Sequence, residues 1–185
     1  QKPFAHSINE GRTIIQAIEE NGVKFTPSFM HRYFDESMAA AKLIRDGRIG
    51  EIESIRIRNC TKNDRDTVAS YGGCMMDIGC HGIDLMRALT GKDIEAVSAV
   101  RPSGGAGSGG EYGPDADLHG DEVQAVLSYR MTGDVPATHE IHWSQISKTN
   151  RFEAEIYGTK GCIYLFNPHL DDGVCIGWNN DGHPR

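Results

Sequence analysis

The sequence lacks the long apolar runs and the clustered positive charge that would direct it to a membrane or a nucleic acid. No apolar run approaches the roughly 18 residues of a transmembrane helix, and the first residues, Gln1–Phe4, lack the apolar stretch of a signal peptide. The 26 acidic residues outnumber the 19 basic ones, which are scattered, and the formal charge is −7. Nucleic acids and anionic membrane surfaces are therefore poor partners.

Paired cysteines and a dinucleotide-binding turn are also missing. The five cysteines form an odd set without a CxxC pair, which argues against a disulfide framework and a zinc ribbon and favours a soluble protein of the reducing cytoplasm. Gly104–Gly110 is rich in glycine, but no helix with apolar periodicity follows it. The chain also begins at Gln1 without a methionine, and we expect it to be a piece of a longer protein.

Local patterns predict three helices in the first half of the chain. Ser7–Glu10 is a capping box for a helix that ends at Asn21-Gly22. Asp35 or Ser37 is expected to cap a second helix that stops at Gly47. Its expected inward residues are Met38, Ala41, Leu43 and Ile44. A third helix is predicted from about Cys74 to Leu89.

The remaining apolar patterns predict strands, most of them joined by short turns. Their expected ranges are Val23–Phe29, Glu51–Thr61, Ile94–Arg101, Glu122–Arg130, Val135–Ile146, Phe152–Tyr157, Cys162–Phe166 and Val174–Trp178. Such an order favours an α+β fold, in which a large, open, mainly antiparallel sheet has helices on one face only. Pro102–Gly120 holds seven of the 22 glycines and is expected to be a surface loop or a linker.

The third predicted helix carries an unexpected polar stripe. Asp77, His81 and Asp84 follow one another at i, i+4 and i+7 in a helix whose other residues are mostly apolar. In one interpretation Asp77 merely satisfies a buried histidine. In the other, Asp77 orients His81 and raises its basicity, so that the imidazole can accept a proton from a substrate hydroxyl. The spacing alone leaves both interpretations open.

Four segments resemble one known family. Tyr71–Leu85 is similar to the signature GG-x-x-x-D-x-x-x-H-x-x-D-L of the glucose–fructose oxidoreductase, inositol dehydrogenase and MocA family. Gln1-Lys2-Pro3 resembles the E-K-P motif of that family, with Gln in place of Glu. Phe29–Phe34 resembles its domain crossover, G-F-x-x-R-F/Y, and Lys42–Ile52 resembles the passage that follows. The resemblance covers roughly the first half of the chain.

The resemblance implies part of an NAD- or NADP-dependent oxidoreductase that transfers hydride between nicotinamide and a sugar, polyol or related carbohydrate derivative. Lys2, Asp77 and His81 would form its catalytic set, with His81 as the base, and Lys2 and Arg32 would contact the cofactor. Residues 1–30 would be a remnant of the dinucleotide-binding Rossmann domain, which would hold most of the cofactor. Residues 31–185 would form the substrate-binding and dimerisation domain.

Three further expectations follow. Without the rest of the Rossmann domain, the chain alone is expected to be inactive, and a non-catalytic binding or regulatory domain that keeps the fold is the alternative. The uncovered face of the sheet is expected to be apolar along Val135–Ile146 and to form a homodimer or a higher homo-oligomer. No metal site is expected, because His139, Glu140 and His142 alternate across a strand.

Overall fold

The computed structural model describes residues 2–61, 72–100, 124–142, 151–166 and 174–178. Within these ranges, three α-helices, a 3-10 turn and a π turn are present. The α-helices are α1 (Ile8–Asn21), α2 (Asp35–Arg45) and α3 (Cys80–Thr90). Met30–Tyr33 form the 3-10 turn and Met75–Gly79 form the π turn. None of the described helices has the length and apolar character required to cross a membrane.

Helix α1 begins and ends where its capping residues predict. The Ser7 hydroxyl accepts a hydrogen bond from the Glu10 amide at 3.1 Å, and the Glu10 carboxylate accepts one from the His6 amide at 2.6 Å. Gly22 follows the helix with a φ of +58°, a left-handed conformation that glycine adopts without strain. The predicted strand Val23–Phe29 is wrong, because this segment pairs with no described strand and leaves Val23 and Phe25 exposed.

Helix α2 begins without the predicted side-chain cap. Phe34 is the N-cap residue, and Asp35 and Glu36 occupy the first turn, where the helix dipole favours acidic groups. Ser37 is buried with Ala40 on the inward face, whereas Met38, which we expected to be inward, is exposed. The helix ends at Arg45, with Asp46 as its C-cap residue, just before the predicted stop at Gly47.

Seven strands form one sheet in the order β2-β3-β4-β1-β5-β6-β7. They are β1 (Ile52–Cys60), β2 (Ile94–Val100), β3 (Gln124–Met131), β4 (Val135–His142), β5 (Arg151–Gly158), β6 (Gly161–Phe166) and β7 (Val174–Trp178). The predicted α+β fold with a mainly antiparallel sheet is confirmed, since five of the six pairings are antiparallel and only β1 and β4 run parallel. The long chain segment between β1 and β4, which includes α3, β2 and β3, allows these two strands to pair in parallel.

The two faces of the sheet differ in chemistry. Buried residues of β3 and β4 alternate with exposed ones, and the buried set meets α2 and α3 in a single apolar core. The outer face of β4 carries Pro136, Thr138, Glu140 and His142. The expectation that this strand is apolar on both sides is therefore wrong for its described part, because Thr138, Glu140 and His142 are polar and Glu140 pairs with Arg58 and His142. Tyr71, residues 102–120, for which a loop or linker was predicted, and residues 143–146 lie outside the described residues.

Candidate active site

The polar stripe begins at an irregular helix start. Gly72 and Gly73 have φ angles of +80° and +87°, and the π turn Met75–Gly79 follows before α3 begins at Cys80. We expected a regular α-helix here, and this detail is wrong. A π turn contains an extra residue, so Asp77 and His81 do not have the angular relationship that a regular i, i+4 spacing implies.

Asp77 contacts a residue that lies 75 positions earlier in the chain. The Lys2 ammonium group donates hydrogen bonds to the Asp77 carboxylate and to the backbone carbonyl of the same residue. The two side chains are 19% and 17% exposed, so the ion pair is partly shielded from water but still accessible. The structure therefore brings together two of the three predicted catalytic residues, while an interaction between Asp77 and His81 stays a prediction.

His81 lies in an aromatic environment on the first turn of α3. Its ring stacks on the ring of His31, with centroids 4.4 Å apart and planes inclined by 20°. Phe29 presents an edge-on contact to His81 at 6.0 Å. His31 and His81 are each only 8% exposed. The imidazole of His81 is therefore held by rings from the segment that precedes α2.

The third residue of the stripe, Asp84, pairs with Arg32. Arg32 donates from Nε to the Asp84 carboxylate at 2.6 Å and from a terminal nitrogen to the other carboxylate oxygen, a bidentate arrangement. The hydrogen bond to Asp84 raises the pKa of Arg32. Asp84 is buried, whereas Arg32 remains 41% exposed. This pair ties the 3-10 turn to α3, and the predicted contact of Arg32 with a cofactor stays a prediction.

An open cleft of about 350 Å³ lies between the N-terminal segment and α3. Its lining residues are Phe4, Thr26, Pro27, Phe29, Arg32, Tyr33, Asp84 and Arg87. Both arginines are already neutralised, Arg32 by Asp84 and Arg87 by Asp93. The lining of the cleft is therefore partly apolar and partly polar, and its positive charges are balanced by carboxylates.

Cys80 lies next to the ion pair but is not prepared for chemistry. Its thiol donates to the Asp77 carbonyl at 3.4 Å, and burial raises the pKa of the thiol to about 11. The thiolate, which is the nucleophile and metal ligand, is thus disfavoured. Within the described ranges, no cluster of three or more His, Cys, Asp or Glu side chains has the arrangement of a metal site.

A buried polar cluster beneath α3 was missed by sequence reasoning. His139 of β4 donates to the Asn59 side chain of β1 at 2.5 Å and accepts from the Tyr129 hydroxyl of β3 at 3.3 Å, in the tautomer that this geometry requires. Burial lowers the pKa of His139 to about 3. The alternation of β4 placed His139 with Ile141 on one face, but only tertiary packing shows that this face is the core.

The Gly82→Ala substitution is expected to destabilise the fold by about 1–3 kcal/mol, because a methyl group there overpacks a filled core. A Cβ at position 82 would lie 2.4 Å from the Asn59 side chain and 2.5 Å from the His139 ring. Thermal unfolding measures the loss. Gly11→Ala in α1 is the matched control, since its Cβ would make ordinary contacts at 3.5 Å, and equal melting temperatures for the two variants would contradict the prediction.

The described residues thus form an α+β domain in which helices pack on one face of an open sheet, with a lysine–aspartate pair at the start of α3 and a buried histidine on its first turn. The family model described as the GFO/IDH/MocA C-terminal domain matches residues 37–164. The chain therefore belongs to the GFO/IDH/MocA family, and the resemblance inferred from its motifs is confirmed.

Named relatives and solved structures agree with this assignment. The chain is 29% identical over 214 residues to levoglucosan dehydrogenase of Pseudarthrobacter phenanthrenivorans, a match that covers all of this chain and 53% of the relative. It is also 29% identical over 172 residues to inositol 2-dehydrogenase of Rhizobium meliloti, covering 90% of this chain and 49% of the relative. The chain thus spans about half the length of both relatives.

A solved structure of levoglucosan dehydrogenase in complex with NADH and levoglucosan has the same fold. It superposes with a TM-score of 0.80 at 22% identity, over 98% of this chain and 50% of that chain. At this level of identity, the similarity establishes the architecture alone.

Proposed function

We propose that the full-length protein containing this chain is an NAD- or NADP-dependent oxidoreductase. It transfers hydride between the nicotinamide ring and a CH–OH carbon of a sugar, polyol or related carbohydrate derivative. Family membership and the names of the relatives support this class of reaction. The observation that carries the proposal is the Lys2–Asp77 ion pair at the π turn that leads into α3, the helix that holds the buried His81.

The side chains fit the reacting end of such a site. When bound, the nicotinamide supplies the acceptor for hydride. His81 accepts the proton of the substrate hydroxyl, for which its nitrogen has to lie within about 3 Å of that oxygen. Lys2 stabilises the developing alkoxide, and Asp77 holds the ammonium group of Lys2 in place.

The same residues do not form a complete cofactor site. No G-x-G-x-x-G turn leads into a helix within the described residues, and the cations of the candidate site, Lys2, Arg32 and Arg87, are each paired with a carboxylate. These groups fit contacts to the nicotinamide half of a dinucleotide and leave its pyrophosphate to a separate Rossmann fold. We therefore propose that this chain alone does not turn over. We also propose that the complete enzyme acts in the cytoplasm.

The test is a substrate panel with the full-length protein. Inositols, aldoses and anhydrosugars are each supplied with NAD⁺ and with NADP⁺, and absorbance at the nicotinamide wavelength is followed. We expect reduction of at least one cofactor by at least one polyhydroxylated substrate. Absence of reduction across the panel, together with absence of oxidation of both reduced cofactors by the corresponding ketones, would overturn the proposal in favour of a non-catalytic domain.

We also propose that the outer face of the sheet is a homodimer or higher homo-oligomer interface. Arg58 bridges Glu140 at 3.0 Å and Glu153 at 3.4 Å on this face, and none of the three side chains is more than about one third exposed. Tyr157 and Tyr164 contact each other edge-on nearby. Because Arg58, Glu140 and Glu153 pair with one another within the chain, this face carries no unpaired charge in the network. Such a face, with aromatic side chains on the same side of the sheet, is compatible with a protein–protein interface.

Sedimentation of the full-length protein tests this arrangement. Arg58→Glu would place three carboxylates together in each copy and is expected to shift the oligomer towards monomer. Arg12→Glu, on the exposed face of α1, is the control for a charge reversal and is expected to leave the mass unchanged. An Arg58→Glu variant that keeps the parent mass at micromolar concentration would contradict the interface.

A further inference from the structure

We propose that His31 is a positioning residue that fixes the ring plane of His81 by stacking on it. This inference rests on the proposed function, because it assigns His31 a role in presenting the His81 base to a substrate hydroxyl. It concerns a residue at a variable position of the crossover motif, next to the arginine that pairs with Asp84.

The ring of His31 is fixed on two sides. One side stacks on His81 at 4.4 Å and 20°. Phe152 of β5 makes a T-shaped contact at 4.2 Å and 79°, and Phe34 lies at 5.3 Å. Phe152 is buried in the core on the inner face of the sheet. The stack therefore connects His81 to the sheet through His31, in addition to its connection through α3.

The backbone around His31 prevents the ring from moving away. Met30–Tyr33 form a 3-10 turn that leads directly into α2, and the neighbouring Arg32 is fixed by its two hydrogen bonds to Asp84. Met30 and Tyr33 point outward and are exposed, so His31 is the one buried residue of the turn. The turn is therefore held on the C-terminal side of His31, by α2 and by the Arg32–Asp84 pair, which restricts the position of the ring.

Such a contact restricts the rotation of His81 about its Cβ–Cγ bond. An imidazole that accepts a proton must present one nitrogen to the hydroxyl, and a misplacement of about 1 Å can cost on the order of a hundredfold in rate. The stacking contact is made through the face of the ring, whereas both nitrogens lie at its edge. His31 can thus hold the plane of His81 by a contact that does not involve the nitrogen atoms.

Two substitutions of His31 in the full-length protein distinguish the effect of its aromatic ring from the effect of its imidazole nitrogens. His31→Phe retains an aromatic ring, and His31→Leu removes it. We expect kcat of the Leu variant to fall about tenfold or more with KM within about twofold, and the Phe variant to recover to within about threefold of the parent. Met30→Leu, in the same turn but exposed, is the control and should match the parent.

A measurement without catalysis tests the same contact. NMR should detect nuclear Overhauser effects between the ring protons of His31 and His81, and an upfield ring-current shift of His81 that is kept in the Phe variant and lost in the Leu variant. Equal kcat in the Leu variant, a Phe variant as slow as the Leu variant, or absence of the Overhauser effects would each overturn the inference. If the parent protein lacks dehydrogenase activity, the proposed function fails, whereas the NMR result still decides whether the stack holds His81.

Discussion

Replacing His81 with Asn in the full-length protein should lower kcat/KM at least about a hundredfold, because loss of a positioned general base typically costs 10²–10⁴-fold. The dissociation constant of the nicotinamide cofactor should change less than about twofold, since the proposed role of His81 is proton transfer rather than dinucleotide binding. Steady-state kinetics with the best substrate of the panel, combined with fluorescence titration of the cofactor, measures both quantities.

Two further variants sharpen this result. His6→Asn replaces an exposed histidine just before α1 and should leave kinetics and cofactor binding at parental values. Asp77→Asn keeps the shape of the side chain but removes the charge that pairs with Lys2, and it should lower kcat more than it raises KM. Parental turnover of the folded His81→Asn protein, with folding checked by circular dichroism, would disprove the role of His81 as the base.

Much of the fold was predictable because it follows from local rules. The Ser7 and Glu10 capping pair defined the start of α1, and Gly22 defined its end. The turn between Gly158 and Gly161 joins β5 and β6 as an antiparallel hairpin, as its sequence predicts. Alternating apolar residues gave β3 and β4 their buried faces. In each case the interacting residues lie close together in the chain.

The features that sequence reasoning missed depend on distant parts of the chain. The parallel pairing of β1 with β4 aligns Ile57 with His139, 82 positions later, and no local pattern specifies which strands become neighbours. Likewise, the segment Val23–Phe29 has the composition of a strand but pairs with no described strand.

The candidate site shows the same division between local and distant effects. Its motif placed Asp77, His81 and Asp84 on one helix, whereas the pairing of Asp84 with Arg32 joins residues that lie 52 positions apart in the chain. The π turn alters the geometry between Asp77 and His81, and it depends on packing rather than on spacing. The burial of His31 was not predicted either, because a four-residue 3-10 turn has no apolar periodicity to reveal which residue points inward.

The buried cluster of Asn59, Tyr129 and His139 should make the fold sensitive to acid. The pKa of His139 is lowered from the ordinary 6.5 to about 3 because burial disfavours the imidazolium. Below pH 6.5, the unfolded chain binds a proton that the folded chain does not. The contribution of His139 to stability is therefore fully present above pH 6.5 and decreases as the pH falls towards 3.

The size of the effect follows from the proton balance. The full slope is about 1.4 kcal/mol per pH unit for one proton, but the unfolded histidine is only half protonated at pH 6.5, so acidification from pH 6.5 to 4.5 should remove about 2 kcal/mol. His139→Gln keeps hydrogen-bonding groups for Asn59 and Tyr129 but cannot titrate. The free energy of unfolding of this variant at pH 7 should be lower than that of the parent. Between pH 6.5 and 4.5 the slope of its free energy of unfolding against pH should be smaller, by an amount that corresponds to about one proton.

Urea unfolding at half-unit pH steps, followed by circular dichroism, gives the two pH slopes. Other groups titrate in both proteins, so the difference between the slopes isolates His139, provided that the neighbouring side chains stay in place. His6→Gln is the matched control for the replacement of a histidine by glutamine, because His6 is exposed and lies outside the core. Parallel slopes for the parent and His139→Gln would show that His139 accepts its proton in the folded state, and the buried neutral imidazole beneath the helix of His81 would then be the wrong description.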